Sequence, residues 1–149
     1  MKIGRKALEF CIGGGSYVGL ELLWRGWSHG SMFLAGGTCL LLIGQLEECK
    51  TPKPLFLRIL AGAGIITAVE LASGLLVNRD YRVWDYRGCW GNILGQICPV
   101  YSLLWIPVSG AALGLHFLLK HWTGKTFPFL GRDDIYKKAP HPYNKKDII

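Results

Sequence analysis

The chain has 149 residues and a net charge of +7; half of its residues are hydrophobic and only 18% are charged. A water-soluble domain carries closer to a quarter charged residues. Here the charges gather between long apolar stretches instead of along a helix face, which argues against nucleic acid as a partner and for attraction to an anionic membrane surface.

Four stretches approach the roughly 20 apolar residues that a bilayer core demands of a helix. The first, from about Ala7 to Trp24, follows Met1-Lys2-Ile3-Gly4-Arg5-Lys6. Glu9 interrupts its apolar run and no A-x-A site follows, so it reads as a membrane helix and not as a signal peptide. Its Gly13-Gly14-Gly15 lacks the Gly-Lys-Ser/Thr of a phosphate loop and suits close helix contact instead. Near its end Glu21 precedes Arg25 at i+4, the favourable order for a helical ion pair. The second stretch, about Ser31 to Leu46, is short. The third, about Leu55 to Val77, holds Glu70 well inside it, among Ala61, Gly62, Ala63, Gly64, Ala72 and Gly74. An ionisable side chain at that depth is costly and faces the bundle interior, where it serves an ion, proton or polar substrate, or a structural hydrogen bond or ion pair. The fourth, about Asn92 to Leu119, is the longest and contains Pro99, suited to a first helical turn, and Pro107 in its middle.

Between the third and fourth stretches, residues 81–92 mix Trp84, Asp85, Tyr86, Arg87 and Asn92 with further aromatic and basic residues. Trp and Tyr there suit an interfacial belt. Asp85, set between two aromatics, is expected to pair with an arginine and to hold the segment folded on the bundle. His116 and His121, near the end of the fourth stretch, read as interfacial residues.

Of the 17 basic residues, 13 lie at the N-terminus, in the connection around Lys50, Lys53 and Arg58, and after the fourth stretch; 4 lie in the other two connections. The positive-inside rule then places both termini in the cytoplasm, in a multi-pass membrane protein, with the plasma membrane as the expected location. A weak internal repeat relates Glu21-Leu22-Leu23 to Glu70-Leu71-Ala72, and Gly37-Thr38-Cys39-Leu40 to Gln96-Ile97-Cys98-Pro99. If real, it gives two parallel two-helix halves in which Glu21 and Glu70 converge on one cavity.

The five cysteines show neither a CxxC pair nor a zinc spacing, and three fall inside apolar stretches, as free buried thiols would. No Walker motif, nucleophile elbow or HExxH is present, so the sequence shows no catalytic centre and implies no cofactor or metal. The expected fold class is all-α: a polytopic membrane bundle of about four transmembrane helices over residues 1–123, with a polar cytoplasmic tail over 124–149.

Glu70, then Trp84-Asp85-Tyr86, then Asn92-Ile93-Leu94-Gly95-Gln96-Ile97-Cys98, then Tyr101-Ser102-Leu103-Leu104-Trp105 form a series that resembles the type IV ABC-transporter (CmpB-like) family of small polytopic membrane proteins. More weakly, Glu21 and Gly36-Gly37-Thr38-Cys39 resemble its first half. Where that pattern has arginine this chain has Gln96, and where it has tyrosine before the first acidic residue this chain has Leu20. The resemblance implies transport without naming a substrate. The expectation is a small permease or channel-like component with a polar path through Glu21, Arg25, Glu70 and the Trp84–Arg87 segment, working as a homo-oligomer or with a larger membrane partner. The alternatives are a membrane partner that docks through the aromatic segment, and a lipid-handling protein with carboxylates near the headgroups; membrane lipids are partners in every case.

Overall fold

The computed structural model describes residues 2–48 and 54–126. Four helices account for most of them: α1 (Lys2–Arg25), α2 (Gly30–Glu48), α3 (Leu55–Val77) and α4 (Pro99–Thr126). The described residues contain no strand, only one isolated antiparallel bridge between Ile93 and Ile97. The protein is an all-α membrane bundle.

Three helices, α2, α3 and α4, are long and apolar enough to cross a bilayer. Within their apolar windows only 33%, 22% and 17% of the residues are buried inside the protein, so most of that surface needs lipid or another chain against it. α1 is long enough, but it carries charge near both ends. Four of those charges are paired: Arg5 with Glu9 and Glu48, and Arg25 with Glu21.

α2 is the central helix and meets each of the other three; α1 packs chiefly on α2, and α3 on α4. The α1–α2 contact is made through glycine, as expected for Gly13 and Gly14. A Cβ on Gly36 would fall 2.5 Å from Tyr17 Cβ and 2.8 Å from the Gly13 carbonyl, and one on Gly14 would fall 2.5 Å from the Phe33 carbonyl. Without side chains the two backbones touch. Gly15, by contrast, has nothing within 4 Å. The core lies deeper, where Cys39, Ile43, Ile66 and Leu113 interlock with Trp105 and Val108 around them.

One expected boundary is corrected. The fourth helix begins at Pro99, not Asn92. Residues 92–98 are apolar enough to read as helix, but the Asn92 side chain accepts from the Gly95 N–H, and Leu94 and Gly95 take positive φ values of 53° and 64°. That backbone cannot continue a helix. Pro107 lies inside α4, which runs unbroken across it. At the other end α4 continues past residue 123 to Thr126; the rest of the expected tail, and Cys49, Lys50 and Lys53, lie outside the described residues. The repeat finds only half a counterpart. Glu21 and Glu70 both lie on helices, whereas Gly37–Leu40 is helical and Gln96–Cys98 is not.

Candidate functional site

The segment from Asn78 to Cys98 folds as a plug on the end of the bundle, and amides hold it there. Asn78 caps the end of α3 and is 1% exposed. Its side-chain amide donates to the Trp84 carbonyl (2.7 Å) and to Gln96 Oε1 (3.1 Å), and its Oδ1 accepts from the Val83 N–H (2.9 Å). Gln96 answers by donating to the Asn78 carbonyl (3.1 Å), and the Trp84 indole N–H donates to the Gln96 carbonyl (2.9 Å). A buried amide needs all its partners, and these two supply one another.

Asp85 pairs with Arg87, as expected of an arginine nearby, but the pair is local and open to solvent. Its oxygens accept from Arg87 Nε (2.9 Å) and Nη2 (2.7 Å), with 40% and 61% of the two side chains exposed. These bonds hold the Asp85 carboxyl at about 2, below its ordinary 3.8, and raise Arg87 in turn. The Arg87 guanidinium also lies over the Tyr81 ring, 4.2 Å from its centroid. The segment therefore packs on the bundle, but Asp85 is not what binds it there.

From this plug Tyr86 reaches inward and donates its hydroxyl to Glu70 Oε1 (3.1 Å). From α4, the Trp105 indole N–H donates to Glu70 Oε2 (2.9 Å). Burial and the nearby Glu70 carboxylate push the Tyr86 hydroxyl upward, which keeps it a donor. Glu70 thus has two neutral partners, and among the described residues no cation pairs with it. Glu21 differs. It accepts from Arg25 Nη2 (2.6 Å) and from the Ser28 hydroxyl (2.6 Å), while Arg25 Nη1 donates to the Val83 carbonyl and ties α1 to the plug.

Both carboxylates line one cavity of about 400 Å³, together with Arg25, Trp84, Tyr86 and residues of all four helices. That volume falls within the range of about 300–1,000 Å³ usual for small-molecule sites. Asp85, Arg87, Asn92 and Gln96 do not reach it; they shape the plug above. Away from the plug a second cavity of about 130 Å³ adjoins it, sharing Tyr17, Leu20, Cys39, Ile66 and Val108, and its walls are almost wholly apolar. Ile43, on the wall of this second cavity, is fully buried and packs with Leu113 in the core.

The family model described as "Putative ABC-transporter type IV" matches residues 21–126, well over half of the chain. The chain belongs to this family. No curated protein and no solved structure matches it. The family match begins at Glu21 and takes in Glu70, the whole plug and α4, so the described part of the cavity wall that it leaves out is Tyr17 and Leu20 of α1. At the position where the family resemblance led one to expect arginine, Gln96 is 2% exposed and spends its amide on Asn78.

Two features escaped the sequence reading. Tyr17, Tyr101 and Trp105 stand on the cavity wall, with Tyr86 stacked on Tyr101 at 4.7 Å and Tyr17 6.3 Å from Trp105. Tyr101, Trp105 and Val108 follow i, i+4, i+7 spacing, which was the available signal. At the opposite end of the bundle His116 is 1% exposed and its Nδ1 lies 3.5 Å from Glu9, so it is a buried residue and not an interfacial one. Gly44 makes room for it, since a Cβ there would fall 2.6 Å from Nδ1.

Proposed function

We propose that this transporter-related membrane protein acts as a small permease-type component, loading its ligand into the cavity beneath the plug, with Glu70 as the residue that meets the ligand. The observation that carries the reading is the state of Glu70: an intramembrane carboxylate on a cavity wall, oriented by Tyr86 and Trp105, with no cation of its own. Such residues mark substrate and ion pathways. A carboxylate kept as one half of a buried ion pair would have its charge answered, as Glu21 has. Because the walls turn apolar below the cavity, the path through Glu21, Arg25 and Glu70 serves the plug end, and passage further in requires the helices to move. The 149 residues carry no Walker motif, so any ATP hydrolysis lies outside them. The sparsely covered faces of α3 and α4 suit a homo-oligomer or a larger membrane assembly. In the orientation proposed, the plug faces outward and both termini lie in the cytoplasm.

The test is Glu70→Gln, compared with the parent for protein level, melting temperature in detergent and rescue of a deletion strain's phenotype. The amide retains the shape: its oxygen accepts from Trp105 and its NH2 donates to the Tyr86 oxygen. Normal level and melting with lost rescue is the expected result. Full rescue by Glu70→Gln removes the permease reading and leaves docking through the plug as the better account.

A further inference from the structure

The lining of the cavity specifies the charge of its occupant as well as its polarity. Its charged side chains are Glu21, Arg25 and Glu70. Glu21 and Arg25 neutralise each other at 2.6 Å, so among the described residues Glu70 is the lining carboxyl left without a countercharge. An ionised carboxylate has roughly four acceptor positions; Tyr86 and Trp105 take two. The remaining positions need a cation or a proton, because an unanswered charge in a low-dielectric site is expensive.

The rest of the wall mixes aromatic side chains with aliphatic ones. Tyr17, Trp24, Trp84, Tyr86, Tyr101 and Trp105 all line the same space. Ring faces attract cations, most strongly where water is excluded, and a cage of several rings beside one carboxylate is the arrangement that holds an organic ammonium or phosphonium. A small hydrated metal ion fits poorly: the described residues hold no group of three or more His, Cys, Asp or Glu that would replace its water. Nor does an anion fit, since the one basic group, Arg25, is already committed to Glu21 and the Val83 carbonyl.

We propose that the cavity binds a hydrophobic organic cation, with Glu70 as its counter-ion and the aromatic walls as its cation–π partners. The inference names the ligand class for the permease reading above, but its test concerns binding alone and does not depend on transport.

The experiment uses purified full-length protein in a neutral detergent and two probes of closely similar shape: methyltriphenylphosphonium, a cation, and triphenylphosphine oxide, which is neutral. Binding is followed by calorimetry and by tryptophan fluorescence, since Trp24, Trp84 and Trp105 line the site. The expected result is saturable binding of the phosphonium, tighter than that of the oxide by about tenfold or more, the size of one desolvated cation–π contact. In Glu70→Gln, checked for an unchanged melting temperature, the preference for the cation should fall to near unity while the oxide binds as before. Equal binding of the two probes by the parent overturns the inference. So does a full cation preference in Glu70→Gln, or no binding of either probe. Should Glu70→Gln fail to fold, the comparison of probes on the parent decides alone. Failure here with loss of rescue in the cell assay leaves the permease reading standing with another ligand class.

Discussion

Asn78 and Asp85 show how differently two polar residues of one segment can matter. Asn78 is buried with three side-chain bonds, two of them to backbone groups that have no water to turn to. Asn78→Ala strands those partners and should lower stability by about 2–3 kcal/mol, seen as a reduced melting temperature in detergent. Asp85→Asn should leave the melting temperature almost unchanged, because solvent screens its pair with Arg87. The pH dependence of that pair follows from its direction. The folded value, about 2, lies below the ordinary 3.8, so whatever the pair contributes is present above pH 3.8 and is lost as pH falls through 2. The difference in melting temperature between parent and Asp85→Asn should therefore stay flat from pH 5 to 8; a slope in that range would show that another group answers Asp85. From the sequence, aspartate between two aromatics looks more informative than asparagine at the end of an apolar run. Only the fold reveals that Asn78 faces Gln96.

Helices are where the sequence was most legible. α3 has the very limits that its apolar run suggested, and α2 differs by a residue or two at each end. Hydropathy records side chains, however, and not dihedral angles, which is why Asn92–Cys98 passed for helix until its positive φ values appeared. Glu9 and His116 were opaque for another reason: each looks peripheral on its own helix, and their meeting is a fact of packing between the first and last helices. The glycines divide in the same manner. Gly36→Ala would drive a methyl group against Tyr17 and the Gly13 carbonyl, so the backbones must part; a loss of roughly 1–3 kcal/mol is expected, as for other overpacked contacts. Gly15→Ala, with nothing within 4 Å, should hold or raise the melting temperature. Equal losses in the two variants would mean that helix propensity, and not contact, governs both.

For the molecule as a whole the open quantity is its orientation, which rests on the distribution of basic charge. A variant keeping Cys89 as its sole cysteine tests it directly: Cys89 lies in the plug and is partly exposed. A membrane-impermeant maleimide should label it in intact cells; labelling only after lysis would invert the topology. The composition made the membrane class plain, since apolar runs of that length have few other homes. The cavity was less legible, because its aromatic wall joins α1 to the plug and α4, which lie far from α1 in the chain.

The glycine contact between α1 and α2 has a mechanical consequence. Two backbones in direct contact, keyed by Tyr17, Leu40 and Phe33, form a stiff beam that resists both sliding and bending. α1 touches α4 only lightly, and Arg25 ties its C-terminal end to the plug through the Val83 carbonyl. Any motion that changes the gap between Tyr17 and Trp105 must then carry α1 and α2 as one body, and it works the core as well, to which α2 contributes Cys39 and Ile43.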